Sequence, residues 1–237
     1  MGGGPCDRRL FSCSHWPIAV IEHSAITTFL FTDIESSSRL WEEHPEQMAH
    51  ALAIHDRILR EAVVRNHGMV VKSTGDGMHA AFEDPRDALV ATLEFQIALD
   101  ESLPDQVLPL RVRCGIHAGA IQRRDGDYFG SAVNRAARIM NAAHGGQVLL
   151  SQAVAHLLHN RLPDGATLLG LGAVRLRDLS GAEPLFQVRH ARLRSTFPPL
   201  RSLEAVPNNL PQQVTTFIGR RREQEEIKKA LRKARRL

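Results

Sequence analysis

Met69-Val70-Val71-Lys72-Ser73-Thr74-Gly75-Asp76-Gly77-Met78-His79-Ala80-Ala81-Phe82 is the stretch that decides the fold. Two short runs rich in apolar and β-branched residues flank a Gly-Asp-Gly centre, which is the composition of a β-hairpin turning on glycine. Toward the N-terminus, Asn66-His67-Gly68 closes a helix opened by Pro45, in which Met48, Ala51, Leu52, Leu59, Ala62 and Val63 recur at three- and four-residue spacing. Gly68 is expected to supply its left-handed cap. Ahead of that helix, Ile26-Thr27-Thr28-Phe29-Leu30-Phe31 is a β-branched and aromatic run, the mark of a buried strand. Toward the C-terminus, Asp84-Pro85 opens a second helix with aspartate as N-cap, proline at the first helical position and Asp87 in the first turn; it should end near Leu103. Leu110–His117 then reads as a strand with Arg111 and Arg113 alternating along it. The resulting order, β-α-β-β-α-β, predicts an α+β fold with a ferredoxin-like core, a mainly antiparallel sheet and helices on one face.

Further αβ elements extend this core. A third helix should run from Gly130 through Met140 and close at His144-Gly145-Gly146. Gln147–Leu150 reads as a strand, Ser151 as the cap of a short helix, and two last strands are expected near Ala173–Leu179 and Glu183–Val188. One domain over 25–190 is therefore expected. Residues 1–24 read as a flexible leader, 191–219 as a linker containing Pro198, Pro199, Pro207 and Pro211, and 220–237 as a basic helical tail.

Composition narrows the class of protein. At 237 residues, 43% apolar and 24% charged, the chain can bury a sizeable core, which excludes disorder and a disulfide-stapled miniature. No apolar run reaches the roughly 18–20 residues a membrane span needs, so no membrane partner is expected. Three cysteines, Cys6, Cys13 and Cys114, leave an odd count without zinc-like spacing and fit a reducing cytoplasm. Residues 1–188 carry 17 Lys/Arg against 22 Asp/Glu, whereas residues 189–237 carry 13 against 4. The net charge of +4 is thus the product of a mildly acidic body and a strongly basic tail. With no helix-turn-helix pattern and no interleaving of aromatic and basic residues, nucleic acid is not an expected partner.

Three places carry chemistry. Phe31-Thr32-Asp33-Ile34-Glu35 puts a carboxylate at the end of a buried strand, and Gly75-Asp76-Gly77 puts another at the hairpin tip. Two carboxylates without histidine or thiolate partners suit a hard cation such as Mg2+ or Mn2+. Singly, each has a plainer reading: Asp33 caps a turn, and Asp76 is an ordinary hairpin residue. In Asp127-Tyr128-Phe129-Gly130-Ser131-Ala132-Val133-Asn134-Arg135-Ala136-Ala137-Arg138, a helix starting near Gly130 sets Asn134 and Arg138 four apart on one face. A neutral donor and a guanidinium fork aimed at one point suit a phosphate and its neighbouring sugar. Read alone, a surface helix with an ordinary arginine accounts for the same residues. His117 reads as a packed or capping histidine rather than a general base.

Together with Lys72-Ser73-Thr74-Gly75-Asp76-Gly77 and Arg113-Cys114-Gly115-Ile116-His117-Ala118-Gly119, these motifs occur in one order, and over about residues 26–188 the chain resembles the catalytic domain of class III adenylyl/guanylyl cyclases. The resemblance implies the nucleotide cyclase fold and an adenylate cyclase that makes 3',5'-cyclic AMP and pyrophosphate from ATP. By position, Asp33 and Asp76 match the pair that holds two divalent cations, Mg2+ or Mn2+, with the Ile34 carbonyl as a further ligand. Lys72 and Asp127 match the pair that reads adenine. Asn134 matches the residue that orients the ribose, and Arg138 the one that steadies the transition state. Family architecture implies a head-to-tail homodimer in which the aspartates of one chain face Lys72, Asp127, Asn134 and Arg138 of the other. The alternative is a weak or inactive cyclase-like module that binds nucleotide or partner proteins, with a link to transcription. Residues 208–226 resemble the lead-in to a signalling ATPase, although no Gly-x-x-x-x-Gly-Lys-Ser/Thr motif occurs in the chain; the tail is expected to be the truncated start of such a module.

Overall fold

The structure, a computed structural model, describes residues 26–102, 108–124, 127–179 and 181–202. The expected leader and basic tail lie outside the described residues. The elements in chain order are β1 (Ile26–Ile34), α1 (Ser37–Glu43), α2 (Pro45–Arg65), β2 (Met69–Thr74), β3 (Gly77–Phe82), α3 (Pro85–Ser102), β4 (Val112–Ala120), β5 (Gln122–Arg124), β6 (Asp127–Phe129), α4 (Ser131–Ala142), β7 (Val148–Ser151), α5 (Gln152–Leu157), β8 (Thr167–Arg175) and β9 (Ala182–Arg189).

Seven strands form one sheet in the order β2-β3-β1-β4-β7-β9-β8. The first four, all antiparallel, follow the split βαβ order of a ferredoxin-like core. β7 joins β4 in parallel, the one parallel pairing among the described residues of a sheet that is otherwise antiparallel, so the sheet is mixed but mainly antiparallel, as expected. A parallel neighbour needs a crossover, and α4 supplies it.

That crossover corrects the expectation of helices on one face. α2, α3 and α5 bury Met48, Leu59, Leu89, Phe95 and Val154 against Leu30, Ile116 and Leu150. On the opposite face α4 packs Ala132 and Ala136 against Phe29 and Ala81. β1 is apolar on both faces, since the adjacent Phe29 and Leu30 are 0% and 1% exposed, and one layer of helices would leave one of them in water. Small residues let α4 approach. A Cβ at Gly115 would lie 2.3 Å from the Met140 nitrogen, and one at Gly119 would lie 2.9 Å from the Ala132 Cβ.

Other differences are local. The penultimate strand is Thr167–Arg175 rather than Ala173–Leu179, because Gly170 and Gly172 sit at an irregularity in an edge strand and break its alternation. The left-handed residue after α2 is His67, at φ 57°, not Gly68. Gly68 is there for space: a Cβ would stand 2.3 Å from the Phe82 ring. α1 and the small β5–β6 hairpin were not expected. The stretch read as a linker begins, over residues 191–202, as an irregular strap fastened to the domain: Gln187 Nε2 donates to the Ser195 carbonyl at 2.8 Å and the Arg201 amide to the Ala142 carbonyl at 3.0 Å.

Candidate active site

The two aspartates lie at the same end of the sheet. β1 and β3 run antiparallel with Asp33 opposite Gly77, the residue after Asp76 in the β2–β3 turn. Two features hold that register. The Met78 amide donates to Thr32 Oγ1 at 3.1 Å. A Cβ at Gly77 would come within 2.5 Å of the Thr32 carbonyl oxygen, so the second glycine of Gly-Asp-Gly lets the hairpin close on β1. Gly75 carries the positive φ of the turn, 71°.

Asp33 is engaged within the chain. Arg113, on the neighbouring β4, donates Nε at 3.1 Å and Nη2 to Asp33 Oδ2, and both side chains are largely buried. Asp33 and Arg113 are cross-strand partners, so pairing register delivers this contact. Ile34 packs its side chain in the core at 1% exposure, which leaves the backbone carbonyl as its only donor group. Among the described residues no cluster of three or more His, Cys, Asp or Glu side chains forms. Asp33, Asp76 and the Ile34 carbonyl offer hard oxygen donors only. That set fits a hard divalent cation which takes the rest of its shell from water and phosphate oxygens.

The remaining predicted residues lie elsewhere. Lys72 is exposed on the edge strand β2, opposite His79, whose ring stacks on Phe31 at 4.3 Å between centroids. Asp127 starts β6, opposite Arg124. Asn134 is exposed on α4, which Gly130 opens at φ 136°. Arg138 is half-buried one turn on, where its Nη2 meets Asp178 Oδ2 at 2.8 Å. Asp178 occupies the turn between β8 and β9, in the left-handed region at φ 61°. That turn is four strand spacings from β3, about 19 Å along the sheet, and at the opposite end of the strands from Asp33. Within one chain, then, Arg138 is turned away from the aspartate pair.

Sequence reasoning missed both partners, Arg113 and Asp178. Arg113 had a signal, since it alternates with Arg111 along a strand that pairs with β1. Nothing local marked Asp178. His117 is the packed histidine expected: its Nδ1 lies 2.8 Å from Oγ of Ser151, the N-cap of α5. Burial first, and the Arg135 charge second, push its pKa down to about 4. The Cys114 thiol is buried beside Gln96, and burial pushes its pKa up to about 12, so it is not a nucleophile.

A ferredoxin-like core extended by β7–β9, with α4 across its second face and carboxylates at its hairpin end, is the architecture of nucleotide cyclase catalytic domains. The chain belongs to that family: residues 20–181 match the family model described as the adenylate and guanylate cyclase catalytic domain. An uncharacterized Mycobacterium tuberculosis protein is 38% identical over 220 residues, spanning 92% of this chain and 75% of its own length. The structure of an adenylate cyclase from Trypanosoma brucei in its monomeric state is similar, with a TM-score of 0.63 at 31% identity over 74% of this chain and 92% of that one. An adenylate/guanylate cyclase/hydrolase from Silicibacter pomeroyi gives 0.63 at 28% identity over 69% and 96%. Among the described residues no helix is long and apolar enough to cross a membrane.

Proposed function

We propose that the chain is an adenylate cyclase that converts ATP to 3',5'-cyclic AMP and pyrophosphate at sites shared between two head-to-tail copies in the cytoplasm. The observation that supports this reading is the register of Asp33 against Gly77, which brings the backbone at Asp33 opposite the residue after Asp76 at the hairpin turn. Asp33, Asp76 and the Ile34 carbonyl would hold two divalent cations, Mg2+ or Mn2+, which when bound neutralise phosphate charge and lower the proton affinity of the ribose 3'-hydroxyl.

The chain's own residues supply the rest. Lys72 donates to adenine N1, and Asp127 accepts from the N6 amine, which favours ATP over GTP. Asn134 orients the ribose so that its 3'-oxygen lies in line with the α-phosphorus and the departing pyrophosphate. Arg138 meets the charge that develops on the α-phosphate. The outward exposure of Asn134 and the turning of Arg138 away from Asp33 support a site completed by a second chain. A two-fold homodimer would carry two such sites.

The test is cyclic AMP formation from ATP with Mn2+ across a protein concentration series, with GTP in parallel. Activity rising more steeply than protein concentration is expected, with ATP preferred. Silence at every concentration from folded protein would refute the cyclase reading in favour of a non-catalytic nucleotide-binding module, and preferential use of GTP would refute the adenine assignment.

A further inference from the structure

Glu35 closes the Phe31-Thr32-Asp33-Ile34-Glu35 motif, yet the chemistry above gives it no role. Its backbone amide donates to the Arg111 carbonyl at 2.8 Å, which fastens the residue after Ile34 to the strand leading into β4. Its side chain rests on the α4–β7 turn. A Cβ at Gly145 would lie 2.6 Å from Glu35 Oε2 and 2.6 Å from the Arg111 Cβ, so the absence of a side chain at Gly145 makes the seat for this carboxylate. The turn is itself anchored, as the Gly146 amide donates to the Val112 carbonyl at 2.9 Å. Glu35 Oε1 is met by Arg201 Nη2 at 2.5 Å, across 166 residues of sequence.

Arg201 arrives on the strap that follows β9, and the strap is pinned at separate points. Gln187 holds the Ser195 carbonyl, and His144 Nε2 donates to the Pro199 carbonyl at 2.9 Å. Leu200 packs beside Ile139, Ala142 and Leu149, and the Arg201 amide caps the Ala142 carbonyl at the end of α4. Between these pins a cavity of about 670 Å3, lined by Leu169, Val174, Gln187 and Phe197 among others, separates the strap from β8 and β9. The strap is thus a span with fixed points rather than a packed layer. One residue of it, Arg201, touches both Glu35, next to the end of β1 that bears Asp33 and Ile34, through its side chain, and the helix bearing Asn134 and Arg138, through its backbone.

We propose that Glu35 and Arg201 form a clamp by which the C-terminal strap sets the position of the Asp33–Ile34 end of β1 relative to α4. Both are positioning residues. Neither reaches substrate; each acts through Asp33, Ile34 and the end of α4. The proposal rests on the cyclase reading for what the clamp positions, but the contact and its mechanical effect stand apart from catalysis. A partly exposed pair of this kind is a modest tether, so the expected effects are small multiples.

The experiment uses the full chain and a double-mutant cycle of Arg201→Ala and Glu35→Gln, with Arg201→Lys as the conservative variant. Mn2+ binding is followed by the paramagnetic resonance of free Mn2+ in the presence of 3'-deoxy-ATP, which lacks the attacking hydroxyl. Hydrogen exchange is followed separately at the amides of residues 33–36. Either single variant should weaken Mn2+ binding by about threefold to tenfold and speed exchange at residues 33–36 by a similar factor, with little further change in the double variant. Exchange in β4, at Cys114–Ile116, should not change, and Arg201→Lys should restore most of both readouts. Unchanged binding and unchanged exchange at residues 33–36 in Arg201→Ala would overturn the proposal. So would additive single effects, or exchange that accelerates equally in β4. If the wild-type chain makes no cyclic nucleotide, the cyclase reading fails while the exchange measurements still judge the clamp.

Discussion

Replacing Gly115 by alanine should dismantle the site from underneath, without touching any residue assigned to it. Gly115 lies on β4, opposite Phe31 of β1 and Leu149 of β7, beneath the last turn of α4. A Cβ there would stand 2.3 Å from the Met140 nitrogen, 2.7 Å from its Cα and 2.8 Å from its Cβ. Ordinary contact begins near 3.4 Å, so the helix backbone must retreat by about 1 Å; no rotamer change relieves a clash with backbone. Overpacking of this sort costs about 1–3 kcal/mol, which for a domain of this size lowers the unfolding midpoint by roughly 3–10 °C. Arg138 sits two residues before Met140, so the retreat carries the guanidinium with it. A displacement near 1 Å at a positioned group costs about a hundredfold in turnover. The assay pairs thermal unfolding with cyclic AMP production at saturating ATP and Mn2+. Gly181→Ala is the control, because a Cβ at Gly181 meets nothing within 4 Å. An unfolding midpoint within 1 °C of wild type together with turnover within twofold would refute the argument that Gly115 sets the height of α4.

Other predictions follow from the same geometry. Asp33→Ala should abolish turnover and also cost about 1–3 kcal/mol of stability, since it leaves the largely buried Arg113 without its partner; full activity would remove the metal assignment. Mixing Asp33→Ala with Arg138→Ala should recover activity through one intact site per heterodimer, and no recovery at any ratio would count against shared sites. His117 is held neutral in the folded chain down to about pH 4, whereas in the unfolded chain it takes up a proton below about pH 6.5. The unfolded state therefore binds more protons in that window, and stability falls as pH drops from about 6.5 to 4, by about 3 kcal/mol in total. Urea unfolding should show His117→Gln with a correspondingly flatter dependence, and identical slopes for the two proteins would sink the assignment.

Much of the fold was legible because it is written in local chemistry. The Gly-Asp-Gly hairpin, the Pro45 and Pro85 helix starts and the Ser151 cap each depend on residues within a few positions of one another. The α2 stripe was read nearly as found, with Met48, Ala51, Leu59, Ala62 and Val63 buried, because a 3.6-residue period needs no partner to be visible. The β8 strand was misplaced for the converse reason: on an edge interrupted by two glycines, alternation carries little information. The Gly68 cap failed because the space occupied by the Phe82 ring, not backbone conformation, selects glycine there.

What the sequence by itself determined was the order of the main elements through α5, a carboxylate on β1 and another in the β2–β3 turn, and the helix that carries Asn134 and Arg138. Only the tertiary structure decided that α4 covers the second face, that Arg113 holds Asp33 across 80 residues, that Asp178 turns Arg138 away from the aspartates, and that Arg201 returns across 166 residues to Glu35. The reason is physical. Periodicity and capping report what a residue needs from its immediate neighbours, whereas a close approach or an ion pair depends on where the chain returns, and that is set by strand register and helix packing summed over the whole domain.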